Sequence, residues 1–140
     1  MKSMRLVLNQ LKDLCETNLP ALLAAQGLTD FRYYKVGECR EPEELGLYFY
    51  RDNKSLSVDR QVIDVIVQLQ LPSINEETAA TYDDVVSDYI FNLDAKKLGL
   101  DRIEGVTVDS YSQATDGICF SYVMVSWVHE NDSCDLKDME

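Results

Sequence analysis

The fold turns on "RQVIDVIVQLQL", residues 60–71. Its second half alternates between apolar and polar residues, and a period of two marks a strand. Ile63, Val65, Val67, Leu69 and Leu71 then point one way, and Val62, Asp64, Ile66, Gln68 and Gln70 the other. The first set is wholly apolar and makes a core face; the second is half apolar and half polar. Pro72 follows and ends the strand, because it has no N–H to give to a ladder. Upstream, "LGLYFYR" (45–51) is rich in the aromatics that suit a pleated surface, and "DNKSLSVD" (52–59) supplies turn residues. An antiparallel hairpin is expected.

Downstream the period changes. In "SINEETAATYDDVVSDYIFNLDAKKLG" (73–99), Tyr82, Val85, Val86, Tyr89, Ile90 and Leu93 recur at the spacing of one helical face. Ser73 or Asn75 can cap this helix, Glu76 and Glu77 suit its positive end, and Lys96 and Lys97 its negative end. Gly99 is a plausible stop, so one long helix is expected. Asp83, Asp84, Asp88 and Asn92 fall opposite the apolar stripe. Asp84 and Asp88, four apart, share a helical face, an arrangement open to a metal or to acid–base chemistry. That face is turned away from the core, so the reading adopted is a solvated back.

"RIEGVTVDSYS" (102–112) and "GICFSYVMVSWVHE" (117–130) flank the turn "QATDG" and read as a second hairpin. Phe120, Tyr122, Met124 and Val128 share one face of the last strand; Val123, Val125 and Trp127 share the other. A strand apolar on both faces belongs in the middle of a sheet and needs covering twice.

At the other end, Met4, Val7, Leu8, Leu11, Leu14 and Cys15 form a helical stripe over 3–17. Pro20 either ends this helix or begins a short second one, "PALLAAQG", closed by Gly27. Residues 28–44 show no clean period and are expected to be irregular, with a short strand near 31–36. The order α-ββ-α-ββ predicts an α+β fold: a four-stranded, mostly antiparallel sheet with a long helix and an N-terminal helix packed on it. A single domain over 1–130 and a polar tail over 131–140 are expected.

At 140 residues and 46% hydrophobic, the chain can bury a core without disulfides or metals. Cys15, Cys39, Cys119 and Cys134 are scattered, with no C-x-x-C pair, and His129 is the sole histidine. Zinc sites use convergent close pairs, so reduced thiols and no cofactor are expected. Pairing of His129 with Cys39 or Cys119 as a nucleophile is formally open, but needs a proximity that spacing does not supply. Phosphate-cradling glycine loops, zinc-protease helices, nucleophile elbows and EF-hand loops are absent. No enzymatic reaction is expected.

No apolar stretch approaches the ~20 residues that span a bilayer. The opening "MKSMRLVLNQLKDLCE" does not read as a signal peptide, and a cytoplasmic protein is expected. The net charge of −12 is unevenly placed: residues 1–60 carry nine acids and nine bases, whereas 61–140 carry 16 acids and four bases. Such a surface opposes specific nucleic-acid binding and anionic membranes. It leaves open solubility alone, docking to a basic partner, or repulsion of DNA.

The order and length of these elements carry one resemblance. A helix ending in "NLPALLA", a hairpin reaching "DVIVQLQLP", a helix opening "NEETAATYDDVVSDYIFNL" and then "IEGVTVDSYSQATDGICFSYVMVSWVHE" resemble the tail terminator (tail completion) proteins of long-tailed phages and prophages. The resemblance covers most of the chain except 28–44 and includes no catalytic motif. It implies a structural virion-assembly protein: a homo-oligomeric, hexameric ring that caps the tail tube and joins it to the head, with tail-tube and head-completion proteins as partners. It also implies a final location in the virion tail. DNA would pass through the ring, and acidic walls would not hold it. Asp64, Gln68, Gln70, Thr107 and Asp109 lie on the non-core sides of their strands and are the candidate lumen or interface face. The competing reading is an acidic module that docks a basic protein or mimics DNA.

Overall fold

Two strands form the spine of the sheet. The computed structural model describes residues 3–39, 44–57, 59–72, 74–112 and 117–129. Strand β3 (Arg60–Pro72) pairs antiparallel with β5 (Gly117–His129) without interruption, from Arg60 opposite His129 to Pro72 opposite Gly117. β2 (Gly46–Leu56) lies antiparallel on the other side of β3, and β4 (Arg102–Ser112) on the other side of β5. Both expected hairpin pairings are therefore present. The expected turn over "QATDG", apart from Gly117, and the expected tail over 131–140 lie outside the described residues.

Among the described residues the sheet has five strands rather than the four expected, in the order β1-β2-β3-β5-β4. β1 (Arg32–Tyr33) runs parallel to β2, with Arg32 N–H bonded to the Leu45 carbonyl at 2.9 Å and Tyr34 N–H to that of Leu47 at 3.0 Å. Two residues are too few to show a period, which is why the mixed character of the sheet was hidden.

Helices α1 (Met4–Ala25) and α2 (Glu76–Phe91) cover one face. Ile63, Val65, Val67, Leu69 and Leu71 are fully buried there, with Tyr122 and Met124 of β5 beside them. Each such aliphatic side chain contributes roughly 1.5–3 kcal/mol on leaving water. The division of β3 into a core face and a mixed face thus holds.

α1 corrects the expected break at Pro20: the helix runs through it to Ala25 with no second helix. Leu19 and Leu23 continue the buried stripe beyond Cys15. Proline inside a helix removes a hydrogen bond and crowds the preceding turn. The carbonyl left without its helical donor is that of Glu16, and two residues earlier α1 is bonded to α2. The Tyr89 hydroxyl of α2 donates to the Leu14 carbonyl at 3.0 Å, and Asn18 Nδ2 donates both to that carbonyl and to the Tyr89 oxygen.

α2 is shorter than expected. Asn75, one of the two proposed caps, accepts from Thr78 N–H at 2.8 Å. The helix stops at Phe91 because Asn92 turns its amide back on the Asp88 carbonyl at 2.8 Å, a local bond that competes with another helical turn. Asp94 then caps a short 3-10 helix, Ala95–Leu98, which carries Lys96 and Lys97. Gly99 closes it at φ 71°, a left-handed conformation natural to glycine. This re-aiming buries Leu98 and Leu100.

Candidate interaction face

The helices leave the other face of the sheet. Register places Asp64 opposite Val125, Gln68 opposite Ser121, Gln70 opposite Cys119, Thr107 opposite Val123 and Asp109 opposite Ser121. Paired residues in a ladder share a side, so all five candidates lie on this face. Their environments differ. Thr107 and Asp109 are exposed and Asp64 is half-buried, whereas Gln68 and Gln70 are buried.

The two glutamines are held within the face. Tyr50 donates its hydroxyl to Gln68 Oε1 at 2.8 Å, and Gln68 Nε2 donates to Ser121 Oγ at 3.2 Å. Gln70 Nε2 donates to the Glu44 backbone carbonyl at 3.0 Å. Asp64 has one carboxylate oxygen buried without a hydrogen-bond partner among the described residues. Burial first, and then repulsion from Asp52, hold its carboxyl above the usual range.

One corner of the face is covered by the segment after β1. Tyr34 stacks on Tyr48 with ring centroids 4.3 Å apart, Tyr48 stacks on Tyr50 at 6.2 Å, and the Arg32 guanidinium lies 4.4 Å over the Tyr34 ring. Arg32 also bonds Glu38 at 2.6 Å and Glu44 at 2.9 Å, and the Tyr34 hydroxyl donates to Glu44 at 2.8 Å. Glu44 is held below the usual carboxylate range by the Tyr34 bond and then by Arg32. Glu38 is held low by the Lys35 backbone N–H and then by Arg32. The ring needs room: a Cβ built on Gly46 would come within 2.5 Å of Tyr34 Cε2.

The rest of the face has an apolar centre. Val62, Ile66, Val123, Val125 and Trp127 are half-buried and lie outside the core cluster. Two arginines approach the Trp127 ring, with Arg102 at 5.0 Å and Arg60 at 5.7 Å from its centroid. Glu104 pairs with both guanidinium groups, at 3.3 Å and 3.9 Å. The alternation of β3 and β5 foretells the valines, the isoleucine and the tryptophan. The arginine pair around Trp127 was missed, because it depends on which strands become neighbours.

Asp83 corrects the expected solvated back of α2. It turns toward the sheet and accepts the Tyr122 hydroxyl at 2.7 Å. Asp84 and Asp88 are exposed as expected. Among the described residues no three His, Cys, Asp or Glu side chains gather where they could hold a metal ion. Cys119 and His129 stand ten residues apart on β5, roughly 33 Å of strand. Cys15 is buried, and its thiol is pushed up to about 12, which leaves it unreactive. No helix among the described residues is long and apolar enough to cross a membrane. No protein-family model and no curated protein sequence matches this chain.

Proposed function

We propose that the protein is a self-assembling structural component, a phage or prophage tail terminator whose subunits meet through the open face of the sheet. The observation that carries this reading is the half-buried patch of Val62, Ile66, Val123, Val125 and Trp127, outside the core and on the side away from the helices. Apolar surface gathered in this way gains by leaving water. Trp127, Tyr50, Arg60 and Arg102 around it are residue types that dominate the energetics of subunit contacts. A second layer supplied by a neighbouring copy would give β5 the double cover that its sequence asks for.

This assigns the candidate residues to an interface rather than a channel wall. Gln68 and Gln70 fix the face, Asp64 sits inside its apolar area, and Thr107 and Asp109 belong to its rim. The acid excess of residues 61–140 suits a ring through which DNA passes without being held. Tail-tube and head-completion proteins are the partners this reading requires, and the role is assembly rather than catalysis. Electron microscopy of the purified protein tests it. Annular particles with an open channel are expected; a monomer with no ring at high concentration would overturn the reading.

A further inference from the structure

β4 is the last strand of the sheet and pairs only with β5. Its outer N–H and C=O groups therefore have no ladder partner among the described residues. Edge strands are commonly guarded by lysine or proline. β4 is 11 residues long and has neither, although a bulge at Ile103/Gly105 marks its start.

Beside this edge, on the helix side, lies a cleft of about 420 Å³ lined by Asp84, Ser87, Asp88 and Phe91 of α2 and by Val106 and Val108 of β4. Phe91 is 67% exposed and Val108 45%, two of the few large apolar side chains left in water. Asp84 and Asp88 stand one turn apart along it, and no described Lys or Arg is paired with either carboxylate. An open strand edge, an apolar floor and two uncompensated acids thus meet in one groove.

We propose that this groove binds an extended, basic segment of a partner protein as an added strand on β4. The backbone of the segment would continue the ladder, and every second side chain would face the helix. Apolar side chains in that row meet Phe91, Val106 and Val108, and lysine or arginine meets Asp84 and Asp88. Charge complementarity selects the occupant. A second copy of β4 would bring Glu104 and Asp109 against a single base, Arg102, on a chain of net charge −12. A basic segment of another protein removes that repulsion. Beyond the β4 strand itself, the proposal uses side chains on the helix side of the sheet, away from the open face, and does not rest on assembly through that face.

Amide hydrogen exchange on the full chain tests it, with a short peptide as probe in which valine and lysine take turns at every second position, serine lying between, so that both side chains fall in the row facing the helix. The peptide is expected to slow exchange within residues 102–112. N-methylation of alternate peptide backbone nitrogens is expected to abolish the effect, as is exchange of lysine for glutamate. The double variant Asp84→Asn/Asp88→Asn is expected to weaken binding roughly tenfold, whereas Glu76→Gln/Glu77→Gln, which removes the same charge elsewhere on α2, changes it less than about twofold. Equal weakening by both variants, protection outside β4, or a free protein already dimerised through β4 would overturn the proposal.

Discussion

Tyr122 on β5 donates its hydroxyl to Asp83 on α2 at 2.7 Å, and this bond pins the central sheet to the helix layer. The hydroxyl ends a fully buried side chain, so without Asp83 it would lack a strong acceptor. Burial first and Asp83 second hold the phenol far above its ordinary range, so it stays a donor at every working pH. Tyr122→Phe and Asp83→Ala should each destabilise the protein by about 1–3 kcal/mol. The double variant should lose much less than the sum of the two, because both remove one interaction. Urea unfolding of the four proteins checks this.

Gly46 is required by the aromatic corner rather than by its own backbone. Gly46→Ala places a methyl group against the Tyr34 ring, at the 2.5 Å approach of the built Cβ. A loss of about 1–3 kcal/mol is expected, as for overpacking elsewhere. In a Tyr34→Ala background the same change should be close to neutral. Thermal melts of the two single variants and the double variant give the comparison.

The same corner should be acid-sensitive. Glu38 and Glu44 are held below the usual carboxylate range in the fold, so their bonds favour folding once both are ionised. That contribution is present above the ordinary carboxylate pKa and fades as pH falls through the lowered folded values. Lowering pH below about 4 should therefore loosen the contacts of Arg32 and Tyr34 before the helix layer responds. Residue-resolved NMR during an acid titration would show the order; simultaneous loss everywhere would refute it.

Asp64 has the opposite sign. Its carboxyl is held above the usual range, so ionisation opposes folding at neutral pH and protonation relieves the penalty. Asp64→Asn should raise stability by a few tenths to about 1 kcal/mol at neutral pH, discounted because the residue is only half-buried. The advantage should vanish as pH falls below the ordinary aspartate value. Paired denaturation curves across pH would measure it.

Strand and helix periods made most of the architecture legible. The alternation of 60–71 separated core from open face residue by residue, and the 82–93 stripe located α2. Three features were not legible, for separate reasons. Pro20 reads as a breaker, but α1 runs through it with Leu19 and Leu23 buried on either side, in a layer that Tyr89, 69 positions away, bonds to the Leu14 carbonyl. Asp83 reads as solvated from helical phase alone, yet a helix lying on a sheet leaves its flanks within reach of long side chains such as Tyr122. The short strand expected near 31–36 is present as β1, but its parallel place beside β2 and the cover that Tyr34 gives the sheet corner rest on contacts that only the fold brings together. The candidate face was visible as a set, whereas the separation of buried Gln68 and Gln70 from exposed Thr107 and Asp109 required the neighbouring strands.

Static light scattering of the wild type beside Val123→Asp tests the central claim most directly. Val123 is at the centre of the open face and outside the core, so the variant should fold normally. The wild type is predicted to have the mass of a closed oligomer and the variant that of a monomer with an unchanged circular dichroism spectrum. A monomeric wild type, or an oligomer that Val123→Asp leaves intact, would contradict assembly through this face.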